Sequence, residues 1–214
     1  MKFTCYLLLF CLIFCSCKKS PVKYPEHVPG PLYSIPDEFK AWTMFNPGSY
    51  WLYLNEKTQA IDCTSVKHGP YYKEELCYNC PVVQYMWYYT KSSFLMKFDA
   101  VGGKDGNATL TLTTNKGEGL ALTQRTINAP EDSDSTYYGC YTYRFIAKTD
   151  TFSLNGNQFN NVYHTRLEWT GCYAQTDHMT YDFFWARGIG LISLKKTYDN
   201  QDTTWSLVRW KAIQ

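Results

Sequence analysis

The chain's 214 residues include nine cysteines and four histidines, the side chains best suited to thiolate, redox or soft-metal chemistry. Three of the cysteines, Cys11, Cys15 and Cys17, crowd into "FCLIFCSCKK" (10–19). The surrounding Leu and Phe leave no room for a hydrated metal, so this cluster is not a ligand set. Cys77 and Cys80 form a Cys-x-x-Cys within "CYNCP" (77–81). A redox thiol at that spacing is activated by a helix N-terminus, whereas the residues that follow, "VVQYMWYY", have a strand pattern. Haem attachment would need His where Pro81 stands, and a structural zinc site would need a second close pair that Cys63 alone cannot supply. Cys77 and Cys80 read as a loop disulfide or as free thiols, with metal binding and redox catalysis as the alternatives.

The histidines are dispersed. His27 lies in a Pro-rich stretch, His68 and His178 sit near loops, and His164 alternates along a strand as a face residue. No paired-His motif, no Gly-x-Ser-x-Gly elbow and no phosphate-cradling glycine loop occurs. Acidic pairs such as Glu74-Glu75 and Glu131-Asp132 fall in polar loops, where solvation accounts for them. The sequence therefore nominates no catalytic residue, no metal and no cofactor. Aromatic side chains remain: 19 Tyr, 7 Trp and 12 Phe, 18% of the chain. They suit stacking on sugars or lining an apolar pocket, and they equally suit filling a large β core. The formal charge of +2 is scattered rather than striped, which excludes a nucleic-acid footprint.

The elements that would have to position these groups begin after a distinctive opening. Lys2 precedes an apolar run, "FTCYLLLFCLIF" (3–14), which ends at Ser16-Cys17-Lys18-Lys19. Such a run fits a signal-peptide core of about 7–15 residues and falls short of the roughly 20 that a spanning helix needs. Phe14, Cys15 and Ser16 before Cys17 resemble a bacterial lipobox, and "SCKK" followed by prolines resembles lipoproteins of Bacteroidota. The resemblance implies cleavage before Cys17 and its lipidation, leaving residues 1–16 as the signal. A diacylglyceryl thioether plus an N-acyl chain anchors firmly, since each buried CH₂ contributes roughly 0.8 kcal/mol. Residues 17–36, with five prolines, read as a tether, and residues 37–214 as a single domain. Surface-exported lipoproteins of the group it resembles carry acids soon after the lipidated cysteine; here no acid follows Lys18-Lys19 before Glu26, so the resemblance implies an outer-membrane lipoprotein facing the periplasm rather than one exported to the cell surface.

In the body, "PDEFKAW" (36–42) predicts one short helix, with Pro36 and two acids at its start. Thereafter the hydrophobic period is two. Strands are expected at 48–54, 82–90, 93–100, 107–114, 119–126, 137–148, 151–154, 158–169, 180–187, 189–196 and 204–210, with an acidic loop at 127–136. Leu120 and Leu122 are expected on one face. Crossover helices are absent, so a parallel α/β fold is excluded. The fold class is all-β: a single antiparallel, strongly curved sheet, barrel or half-barrel, lipocalin-like or LolA-like, of roughly ten to twelve strands and at most one short helix.

Once the signal is removed, Cys63, Cys77, Cys80, Cys140 and Cys172 accompany the anchor. A three-residue turn at Asn155-Gly156-Asn157 would set Cys140 opposite Cys172, predicting a cross-strand disulfide in an exported protein. "FNPGSYWLY" (45–53), "LNGNQFNNVYH" (154–164), "WARGIGLISLKK" (185–196) and "WSLVRW" (205–210) are similar to segments of uncharacterised Bacteroidota lipoproteins. That resemblance implies a β-rich envelope protein and transfers no site residue. The expected function is a membrane-anchored, non-enzymatic envelope lipoprotein that binds an apolar ligand or partner protein on a concave sheet face. The alternatives are an aromatic-rich carbohydrate-binding module and a Cys-x-x-Cys redox or other enzyme.

Overall fold

The computed structural model describes residues 32–66, 71–74, 82–87, 89–90, 97–101, 107–114, 117–129, 135–137, 141–169 and 178–214. Its strands, in chain order, are β1 (Leu32–Tyr33), β2 (Tyr50–Asn55), β3 (Ile61–Ser65), β4 (Tyr71–Glu74), β5 (Val82–Trp87), β6 (Tyr89–Thr90), β7 (Lys97–Val101) and β8 (Thr109–Thr114). There follow β9 (Gly117–Thr123), β10 (Ser135–Tyr137), β11 (Tyr141–Leu154), β12 (Asn157–Trp169), β13 (Met179–Ala186), β14 (Gly190–Tyr198) and β15 (Gln201–Lys211). Two short helices accompany them, α1 (Asp37–Thr43) and α2 (Gln124–Asn128).

The fold is all-β and overwhelmingly antiparallel. Nine strands pair in the order β10-β11-β12-β13-β14-β15-β2-β3-β6, and six more form a second sheet, β1-β5-β7-β8-β9 with β4 on β5. The two-residue pairing of β1 with β5 is parallel. Among the described residues no pairing joins the ends of either sheet into a closed barrel.

Period-two patterning accounts for most of these elements. In β2, Trp51, Tyr53 and Asn55 are buried while Tyr50, Leu52 and Leu54 are half-exposed. In β13, Met179, Tyr181, Phe183 and Trp185 all enter the core. Helix α1 begins where Pro36 presets φ and Asp37 and Glu38 complement the helix dipole.

Several expectations are corrected. The β11–β12 turn has two residues, Asn155 and Gly156, both at positive φ, so Leu154 faces Asn157. This is the Asn-Gly hairpin turn whose twist matches the flanking strands. A bulge at Ile146 then shifts the register again, and Tyr141 faces Trp169. The strands thus run two residues out of the register that would set Cys140 opposite Cys172, and both cysteines lie outside the described residues. Strand β11 is continuous through Asp150. A second bulge, at Ala121, pairs Leu122 with Leu110 but Leu120 with Thr111, so the two-residue alternation does not run unbroken through β9. Residues 124–126 form helix rather than strand, because the Thr123 side chain accepts the Thr126 N–H and caps a turn. Ile35, assigned to the tether, is fully buried in the core.

One hydrophobic cluster spans both sheets and α1. Trp42 of α1 meets Tyr163 edge-on (4.8 Å) and Phe45 meets Trp51 (4.9 Å). The β9–α2 segment packs on β11 and β12. There Thr165 Oγ1 donates to Ala121 O (2.7 Å), Trp185 Nε1 donates to Thr165 Oγ1 (3.2 Å), and Tyr163 OH donates to Ile127 O (3.4 Å). A hydrogen bond between the Thr126 and Tyr143 hydroxyls closes the same seam. These indole, phenol and hydroxyl partners let polar tips be buried within an aromatic core.

Candidate functional site

Two places on the described surface bring functional side chains together. The first lies on the solvent-facing side of β12 and β13. Alternation that sends Thr165, Leu167, Tyr181 and Phe183 into the core sends His164, Arg166, Asp182 and Phe184 outward. Cross-strand pairing of Arg166 with Asp182 then sets acid and base side by side. Arg166 Nε and Nη2 donate to the two Asp182 carboxylate oxygens at 2.8 and 3.1 Å, and His164 Nε2 donates to Asp182 Oδ1 at 2.7 Å. The His164 ring stacks on Phe184 (4.3 Å), and Phe184 stacks in turn on Phe152 of β11 (5.2 Å).

Asp182 has only 8% of its side chain exposed. Burial pushes its carboxyl up, but the hydrogen bonds from His164 and Arg166 outweigh burial and hold it below its ordinary 3.8. Arg166 is raised, chiefly by its hydrogen bond to Asp182. A His–Asp pair can serve as a general base when a nucleophile meets the other ring nitrogen. Among the described residues no hydroxyl or thiol hydrogen-bonds to His164. The trio is a positioned charge network that fixes the outer face of two long strands. Around it the sheet continues as a paired lattice: Arg144 lies 3.8 Å from Glu168, and Lys195 lies 2.6 Å from Asp202.

The second place is a hollow of about 330 Å³ beside α1, floored by Ala41, Met44 and Phe45 and rimmed by Asp37, Lys40, Asn46 and Gln214. Its walls are held from several directions. Gln214 Nε2 and Gly188 N both donate to Ala41 O (2.8 and 2.7 Å), and Asn46 N donates to Ile213 O. Arg187 grips Glu38 through two bonds of 3.1 and 2.9 Å, which lowers the Glu38 carboxyl. Gly190, at φ +93°, lets the chain pass so close that a Cβ would sit 3.1 Å from the Phe45 ring. Asp37 and Lys40 neutralise one another at the rim (2.7 Å). A space of this size with an apolar floor and a polar rim suits a small, mainly apolar group.

Of the residues singled out from sequence, Cys17, Cys77, Cys80, Cys140 and Cys172 lie outside the described residues, as do His27 and His68. Cys63 is a free, exposed thiol on β3, and His178 is exposed before β13. Among the described residues no three His, Cys, Asp or Glu side chains are placed to hold a metal ion. Trp42, Trp51 and Trp185 are buried in the core, and Trp169, Trp205 and Trp210 are partly buried against it. The sequence reading left Asp182 and Arg166 unremarked. Their signal is polar residues at alternate positions of two strands, His-x-Arg and Asp-x-Phe, and it becomes legible only once the register across residues 170–178 is known. No protein-family model matches the chain, and no curated protein or solved structure matches it either.

Proposed function

We propose that the protein is a membrane-anchored, non-enzymatic lipoprotein of the cell envelope, held through lipidated Cys17 at the outer membrane and facing the periplasm. Its body acts as a binding module on a strongly curved β scaffold. The observation that carries the anchoring is the apolar run 3–14 broken at Ser16-Cys17-Lys18-Lys19, too short to span and correctly placed for lipidation.

Binding falls to the hollow beside α1 rather than to the broad sheet face. The described apolar side of the large sheet is occupied by α1 and the β9–α2 segment, while Met44 and Phe45 present an apolar floor with room above it. The partner class is a small apolar ligand or an apolar side chain of another envelope protein. The charge network at His164 supports a non-enzymatic reading, because its members satisfy one another. An apolar fluorescent dye should bind the mature chain, and Ala41→Trp, which fills the hollow, should remove that binding without lowering the melting temperature. Equal dye binding by both proteins would contradict the placement. Cys17→Ala should move the protein out of the membrane fraction.

A further inference from the structure

The solvent side of β2, β3 and β15 carries a composition unlike the rest of the large sheet. Register places Arg209, Leu52 and Cys63 in one row, Lys211, Tyr50 and Ser65 in the next, and Leu54 and Ile61 beside them. The opposite side of the same strands holds the buried Trp51, Tyr53, Asp62 and Leu207. Ile61 is 57% exposed, the most exposed large apolar side chain described, and Leu52, Leu54 and Tyr50 are half-exposed next to it.

The cations decide what this patch faces. Elsewhere on the sheet Arg144, Arg166 and Lys195 are ion-paired, and Lys148 and Lys196 lie over tyrosine rings. Arg209 and Lys211 are exposed, with no acid within ion-pair distance and no ring beneath them among the described residues, and they border the apolar row. A stable protein partner would engage roughly 20–30 residues a side, far more than this patch offers. Half-exposed Tyr and aliphatic side chains beside unpaired cations match the chemistry of a bilayer interface with anionic headgroups.

We infer that this side of β2, β3 and β15 lies against an anionic lipid surface, with Tyr50, Leu52, Leu54 and Ile61 at the headgroup boundary and Arg209 and Lys211 on the phosphates. The inference rests on the anchored reading above, because a tether turns weak surface affinity into a fixed orientation. Residues 17–31 span at most about 50 Å when extended, enough to let the domain turn this face to the membrane.

Cys63 sits within the patch and reports on it. The lipidated mature chain would be placed on vesicles of phosphatidylcholine alone or mixed with phosphatidylglycerol, then treated with a water-soluble maleimide. Modification of the Cys63 peptide would be followed by mass spectrometry. The expected result is slower modification on the anionic vesicles, with Arg209→Gln plus Lys211→Gln restoring the rate about tenfold or more. Both substitutions are on exposed side chains, so folding does not confound them. Equal rates on both vesicles, or slowing that the double variant retains, would overturn the inference. Slowing already present in the unlipidated chain (Cys17→Ser) without vesicles, and growing with protein concentration, would assign the patch to a second copy and equally overturn it. The mass of the N-terminal peptide separates these outcomes from failure of the anchor: absence of lipid on Cys17 sinks the anchored reading alone.

Discussion

Asp182 shows how one side chain can organise a sheet surface. It is nearly buried and accepts from both Arg166 and His164, so its removal strands two donors at once. Asp182→Asn should cost about 2 kcal/mol, the scale of hydrogen bonds to a charged group, read as a lower urea midpoint with unchanged slope. The same group sets a pH response. Its folded-state pKa lies below the unfolded 3.8, so its contribution is complete above that value and is lost as the pH falls through the lower folded value. Acid titration of stability should therefore fall less steeply in Asp182→Asn than in the native chain. Parallel acid curves for the two would contradict the assignment. At this scale the sequence was informative about His164 as a face residue and silent about its partners. A strand tells which residues share a side, but only the pairing tells which of them touch.

Among the elements, those with local causes were the legible ones. Helix α1 announces itself through Pro36, Asp37 and Glu38, and β8 through the Leu110 and Leu112 alternation that both sheets' core receives. What escaped reading was the single extra residue. Ala121 in β9 and Ile146 in β11 each insert one bulge, and each bulge flips or shifts every side chain beyond it. The Asn155-Gly156 turn likewise differs from a three-residue turn by one position, enough to move the facing partner of every residue in β11. Two glycines separate backbone from packing causes. Gly156 has φ +76° and open space around it, so Gly156→Ala should cost about 1–2 kcal/mol of pure backbone strain. Gly119 has an ordinary φ, but a Cβ there would lie 2.5 Å from Leu167 Cδ2 inside the core. Gly119→Ala should cost roughly 1–3 kcal/mol through overpacking between the sheets. Thermal melts of both variants check this, and a neutral Gly119→Ala would mean that β9 and β12 can separate more easily than their shared core implies. Beyond Tyr143 no described strand pairs with the outer side of β11, and there the Ile146 bulge, Lys148 and Asp150 make it a poor template for another strand.

For the whole molecule, the fold class followed from aromatic and β-branched patterning, because that pattern is set residue by residue. The division into two sheets did not, since it depends on which strands meet across long connections. The hollow beside α1 was equally illegible: Met44, Phe45 and Asn46 follow the helix in sequence, but Gln214 arrives from the far end of the domain. The proposed address, by contrast, rests on the first twenty residues of the sequence alone. It is also the claim on which the functional account depends most. The measurement that tests it most directly is mass spectrometry of the N-terminal peptide of the protein isolated from envelope membranes. The account predicts a chain beginning at Cys17, with a diacylglyceryl thioether on its sulfur and an acyl chain on its amine. A chain beginning at any other residue, or an unmodified Cys17, would contradict it.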